Sequence, residues 1–173
     1  MSSIIFISGI HGVGKTTFCN EITKYLDCKH YSCSDLIKKN SSYVEISKKV
    51  TNVDHNQLVL QHALASITDS IYLLDGHFCL LDKEENVIQL DLALFKSIGP
   101  KVIVNINCNT EIIQKRLKSR DGNTLSISKL TEFQSAEKAM SSEAARTLGI
   151  PYIEYTSPEP VSKVASLLKQ TIL

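Results

Sequence analysis

The chain of 173 residues has no tryptophan, and its aromatic content is only 6%. Its 7 glycines and 4 prolines are too few for a collagen-like, linker-rich or low-complexity protein. No apolar run approaches the ~20 residues that a membrane-crossing helix needs, so no membrane span is expected. Met1-Ser2-Ser3 leads straight into an apolar run without a basic, apolar, small-residue leader, and the expected location is cytoplasmic. Lys plus Arg number 19 and Asp plus Glu 18, a formal net charge of +1. No global field therefore draws the protein to nucleic acid or to an anionic membrane, and any basic patch must be local. The cysteines, Cys19, Cys28, Cys33, Cys79 and Cys108, are odd in number and include no C-x-x-C pair. Reduced thiols packed as small apolar residues fit this pattern better than a disulfide framework. Cys28, His30 and Cys33 are close enough in sequence to suggest a metal corner, but a fourth ligand at a familiar spacing is missing.

What the chain does have is 43% hydrophobic and 21% charged residues, ordinary values for one globular domain over 1–173 with a single core. Three of its few glycines crowd into Gly9-Ile10-His11-Gly12-Val13-Gly14-Lys15-Thr16, a complete G-x-x-x-x-G-K-[ST] phosphate-binding loop. The apolar run Ile4-Ile5-Phe6-Ile7-Ser8 before it reads as a buried strand. After it, over Thr17–Leu26, Phe18, Ile22, Tyr25 and Leu26 share one helical face. The chemistry is specific. Backbone N–H groups from Gly9 to Thr17, His11 and Val13 among them, curl around phosphates, and the helix N-terminus adds the positive end of its dipole. Lys15 supplies a mobile cation to the β- and γ-phosphates, and Thr16 a hydroxyl for Mg²⁺. The expected ligands are thus ATP and Mg²⁺.

Further along, short strands are expected at Lys29–Ser32, Ile71–Leu74, Lys101–Ile106 and Pro151–Tyr155. Helices are expected at Leu36–Lys39, about 56–69, Leu90–Ile98, from Thr110 through Lys118, about 127–148, and from Pro158 onward. Residues 40–56 are polar and weakly patterned, and 80–89 read as a loop or hairpin. The best strands are apolar without alternation, the pattern of a sheet covered on both faces. The fold expected is a three-layer α/β P-loop domain with a mostly parallel sheet of about five strands, whose ligands lie beyond the carboxyl ends of the strands.

Asp75 ends an apolar strand, so it belongs at the edge where the phosphate loop also lies. It reads as a metal-holding or acceptor-orienting acid, against the alternative of a turn aspartate before Gly76. Because Gly follows it, the acid pair of mechanical ATPases is absent. His77 either assists Asp75 or is simply packed. Lys115-Arg116-Leu117-Lys118-Ser119-Arg120 ends a helix, with Arg116 and Arg120 on one face. Planar guanidinium groups clamp a transferring phosphoryl group well, whereas the competing reading is a basic helix end that offsets the dipole.

In order along nearly the whole chain, these residues resemble the adenylate kinase-like nucleoside monophosphate kinases. Ser34-Asp35-Leu36-Ile37-Lys38 looks like that family's acceptor-site start, Leu74-Asp75-Gly76 like its strand end, and Lys115–Arg120 like the helix entering its lid. The compact form is most similar to archaeal-type adenylate kinases and to the small adenylate kinase-like ATPases of ribosome assembly, which carry D-x-H where this chain has Asp75-Gly76-His77. The resemblance implies an acceptor region at about 34–70, with Ser34, Asp35, Lys38 and His77 as acceptor-binding residues, and a short lid at about 119–126. It departs from the family at Ser34 for Gly, Lys38 for Arg, and Cys79 where an acceptor-gripping Arg stands. The expected activity is ATP-dependent phosphoryl transfer to a nucleoside monophosphate or a related small acceptor. The alternative is a P-loop ATPase switch acting on a protein or ribonucleoprotein partner. No N-K-x-D motif follows a strand, which argues against a GTPase.

Overall fold

Ile4, Ile5, Phe6 and Ile7 form a strand segment with no polar residue, which requires cover on both faces. In the computed structural model, which describes residues 1–41 and 52–172, none of the four is more than 6% exposed. The elements run β1 (Ser3–Ser8), α1 (Lys15–Ile22), β2 (Lys29–Ser32), α2 (Cys33–Asn40), α3 (Asn52–Ala65) and β3 (Ile71–Gly76). Next come a hairpin of β4 (Cys79–Leu81) and β5 (Val87–Gln89), then α4 (Leu92–Ile98) and β6 (Val102–Cys108). The chain continues through α5 (Thr110–Asp121), α6 (Ile127–Leu148), β7 (Tyr152–Ser157) and α7 (Ser162–Ile172). Five strands form one sheet in the order β2-β3-β1-β6-β7, every pairing parallel. This is the expected three-layer α/β arrangement. Among the described residues no helix is long and apolar enough to cross a membrane.

Register decides where the chemistry gathers. Ser8 on β1 pairs with Gly76 on β3, so these two strands end level with the loop that begins at Gly9, while β6, paired at Asn105, runs on to Cys108. Ser8 Oγ donates to Asn105 Oδ1 at 2.8 Å within the sheet. The crevice lies at the carboxyl ends of the strands. Under this edge, Phe6, Phe78 and Phe95 form an aromatic cluster. Phe78 and Phe95 stack with centroids 4.0 Å apart, and Phe6 meets them edge-on at 5.3 and 5.5 Å.

Several boundaries differ from expectation for local reasons. The first helix opens at Lys15, not Thr17, and ends at Ile22; Tyr25 lies past its end and is 45% exposed. Asp91 caps α4 by accepting from the Ala93 N–H, which starts that helix after Leu90. Residues 80–89 do form a hairpin. Pro158 does not open the last helix: the Ser157–Pro158 peptide is cis, and α7 begins at Ser162. Of the weakly patterned stretch 40–56, and of the acceptor region expected at 34–70, residues 42–51 lie outside the described residues.

The aromatic cluster predicts a core penalty. Phe95→Ala should cost about 3–5 kcal/mol in denaturant unfolding. Leu58→Ala, on the exposed side of α3, should stay within about 0.5 kcal/mol.

Candidate active site

The loop after β1 holds its shape because of what lies beneath it. Ile10 and Val13 are 1% and 0% exposed, anchoring the turn to the core, while Gly12 and Gly14 take left-handed φ values of 86° and 100°. A Cβ at Gly12 would stand 3.1 Å from both Ile113 and Leu117, so this glycine also lets α5 approach the loop. Gly14 is the N-cap residue of α1 and has no side chain to cap it, so the first-turn N–H groups are left for a ligand. His11, Gly12, Gly14, Lys15, Thr16 and Thr17 all line one cleft of about 990 Å³. Gly9 and Val13 support it from below and do not face it.

Lys15 folds back over its own loop, with Nζ donating to the Gly9 carbonyl at 2.6 Å and to Ile10 O at 3.4 Å. Burial lowers its pKa, and the carboxylates of Asp75 and Glu137 oppose that shift. Across the cleft, Asp75 is 8% exposed and pairs through Oδ2 with His30 Nε2, on the neighbouring strand β2. Cys19, one turn beyond Thr16, completes a group in which the Cys19, His30 and Asp75 ligand atoms all lie within 4.8 Å of one another. The metal corner that the spacing of Cys28, His30 and Cys33 suggests, already short of a fourth ligand, is not the grouping the fold makes among the described residues. All five thiols are free.

His77 is held edge-on to His11, with centroids 5.7 Å apart. Its Nδ1 is buried without a hydrogen-bond partner. Burial, aided by Lys15 and His11, pushes its pKa down to about 3, so the ring is neutral near pH 7. The turn that carries it is fixed from inside the core by Glu137 of α6, which is 1% exposed. The Glu137 carboxylate accepts from Phe78 N–H at 2.9 and 3.1 Å and from Cys79 N–H at 2.8 Å. Burial raises its pKa to about 7 despite those donors and Lys15. Glu137 escaped the sequence reading, yet it stands four residues after Phe133 and seven after Leu130, on the buried face of α6. A lone acid in an apolar stripe is the sign that was available.

The two arginines expected to work together divide. Arg116 lies against the loop, its Nη1 donating to Gly12 O at 3.0 Å. Arg120 is about half exposed and makes a two-pronged pair with Asp121 at 2.9 and 3.0 Å. Both line the large cleft, as do Ser34, Asp35, Asp75 and His77. Lys38 is exposed and lines none of the described clefts. Tyr155 and the segment Ser157–Val161 form a wall of the cleft that the motifs did not announce.

Fold and loop together define a P-loop protein of the kinase-like type. The chain belongs to the AAA domain family, whose sequence profile matches residues 8–133. A protein of Methanocaldococcus jannaschii described as "Putative adenylate kinase" is 29% identical over 117 residues, covering 67% of this chain and 58% of that relative. The match thus spans little more than half of the relative's length. A "putative kinase" from Chloroflexus aurantiacus superposes with a TM-score of 0.62 at 13% identity, covering 99% of both chains. Shikimate kinase from Acinetobacter baumannii, in complex with shikimate, gives 0.62 at 16% identity over 98% of this chain and 92% of its own. These two likenesses show a shared fold.

The two buried titrating groups predict a pH dependence of stability. From its ordinary value of 4.5 up to about 7, Glu137 holds a proton in the folded state that the unfolded chain releases, so its contribution falls as pH rises. His77 has the opposite sign: between about 3 and 6.5 only the unfolded chain is protonated there, so its contribution rises with pH. Glu137→Gln removes the falling part. The melting temperature of that variant should climb more steeply than wild type between roughly pH 5 and 7, as read by calorimetry.

Proposed function

We propose that the protein is an ATP-dependent phosphotransferase acting on a small acceptor, a nucleoside monophosphate or a related hydroxyl-bearing molecule. One observation carries this reading: the loop with Lys15, the strand-end Asp75 and the guanidinium of Arg116 line a single cleft, and that cleft adjoins a second one at Ser34, Asp75 and His77. The relative described as an adenylate kinase supports transfer to a nucleotide-type acceptor.

In this reading the N–H groups of the cleft-lining loop residues His11, Gly12, Gly14, Lys15, Thr16 and Thr17 bind the phosphates, and Lys15 exchanges its contacts with the loop carbonyls for phosphate oxygens. The Thr16 hydroxyl and the Asp75 carboxylate face the same cleft and form a hard oxygen donor set, which fits Mg²⁺. When bound, that ion neutralises charge on the β- and γ-phosphates. Arg116 is already on the loop and stabilises charge that develops on the transferred group. Arg120 does so after leaving Asp121, as the 119–126 segment closes as a lid. Ser34, Asp35 and His77 orient the acceptor, with Lys38 at the outer end of α2.

A second reading, an ATPase switch on a protein or ribonucleoprotein partner, is favoured by one feature. Lys38, named as acceptor-binding by the resemblance, lines none of the described clefts. Product analysis decides between them: ADP with a phosphorylated acceptor supports transfer, and ADP with inorganic phosphate alone supports the switch.

Lys15→Ala should lower turnover by about 10²-fold or more with an unchanged melting temperature, and Asp75→Asn should act alike. Because Arg116 touches the loop and Arg120 is held by Asp121, Arg116→Ala should cut the rate about 10²-fold, near 2.7 kcal/mol on the barrier. Steady-state rates within about threefold of wild type for both arginine variants would remove the segment from the chemistry.

A further inference from the structure

We infer that Cys19, His30 and Asp75 form a site for a thiolate-seeking divalent ion of the Zn²⁺ class, and that this site shares Asp75 with the Mg²⁺ position. Only the sharing of Asp75 rests on the phosphotransferase reading; the site itself rests on geometry. The cysteine sulfur, an imidazole nitrogen and a carboxylate oxygen all lie within 4.8 Å of one another. Tetrahedral zinc, with bonds of about 2.0–2.3 Å, sets such ligands roughly 3.3–3.6 Å apart. His30 Nε2 and Asp75 Oδ2 already touch, so an ion enters by parting them.

Three elements deliver the three ligands. β2 and β3 run parallel with Ser32 opposite Asp75, so His30 and Asp75 lie on one face of the sheet. The helix α1 packs on β1 and β3 and brings Cys19, 0% exposed, to the inner end of the group. The side chains of His30 and Asp75 are 19% and 11% exposed, and both line the phosphate cleft, which gives an ion its way in. Three protein ligands leave a fourth position, toward that cleft, for water or a phosphate oxygen.

The donor set selects the ion. Mg²⁺ demands oxygen ligands in near-octahedral array, whereas thiolate and imidazole suit Zn²⁺ or Co²⁺. On binding, the Cys19 thiol gives its proton to solvent as the sulfur–metal bond forms. Burial holds that thiol above its usual range in the metal-free protein, with Lys15 pulling the other way, and a bound dication favours the thiolate outright. Thiolate and carboxylate together balance the two positive charges, so the occupied pocket is neutral, the state that burial favours. Asp75 held in this way no longer reaches Mg²⁺ beside Thr16, and bound zinc slows turnover.

The test titrates the full chain with Co²⁺ alone, then adds Zn²⁺ in competition. Wild type should show a near-ultraviolet thiolate-to-cobalt band and lose it as Zn²⁺ displaces Co²⁺. Cys19→Ser should abolish the band and weaken Zn²⁺ binding at least tenfold, whereas Cys28→Ser should change that affinity less than threefold. His30→Gln should also weaken Zn²⁺ at least tenfold, and it decides the question if Cys19→Ser does not fold. A wild-type spectrum without the thiolate band overturns the site. So does a Zn²⁺ affinity within threefold of wild type in folded Cys19→Ser or in His30→Gln. With Mg-ATP in excess, Zn²⁺ should cut wild-type turnover at least tenfold and that of Cys19→Ser less than twofold. Zinc bound without slowed turnover overturns the sharing of Asp75. A chain that binds Co²⁺ through Cys19 yet consumes no ATP in Mg²⁺ keeps the site and overturns the phosphotransferase reading.

Discussion

Glu137 accepts the N–H groups of Phe78 and Cys79 from inside the core, and by doing so ties α6 to the chain that follows Asp75 and His77. Phe78 lies between β3 and the β4–β5 hairpin and Cys79 is the hairpin's first residue, and both of their N–H groups turn to Glu137. Without an acceptor they would be orphaned in an apolar setting. A carboxylate can accept both at once, and no uncharged side chain of similar size does this equally well. The cost is a buried acid close to Lys15. The contact fixes the chain just after Asp75 and His77, both of which line the large cleft with the phosphate loop.

The cations of the site are held by backbone carbonyls rather than by carboxylates. Lys15 rests on Gly9 and Ile10, and Arg116 on Gly12. A carbonyl dipole holds a cation less tightly than an ion pair does, so transfer to a phosphate oxygen has little to undo. Arg120 differs because its partner is Asp121, and an exposed pair of that kind is worth only about 0–1 kcal/mol. The three groups thus stay in place without being locked.

The sequence made the phosphate loop and the strand-end acid legible because both are contiguous: Gly9–Thr16 carries its own flanking strand and helix, and Asp75 ends an unbroken apolar run. The parallel sheet followed from strands with no polar alternation. What stayed hidden was set by tertiary contact. His30 reads as one member of a cysteine-flanked triplet, and only the β2–β3 register turns it toward Asp75. Arg116 and Arg120 are equivalent by helical spacing, and the close approach of α5 to Gly12 makes them unequal. The wall at Ser157–Val161 was missed because a proline after a serine reads as a helix start, and here the helix starts later.

The placement of β1 in the middle of the sheet bears on how the chain is made. Its partners lie far away in sequence: Ile5 pairs with Leu73 on one side and Val102 on the other, and Ser8 bonds Asn105 across 97 residues. Loop closures of that span delay the encounter of strands, and folding slows as contacts become less local. During synthesis the phosphate loop leaves the ribosome well before β6, and it has no floor until β6 has followed. Nucleotide affinity should therefore arrive late and all together, so nascent chains ending before Asn105 stay insensitive to ATP.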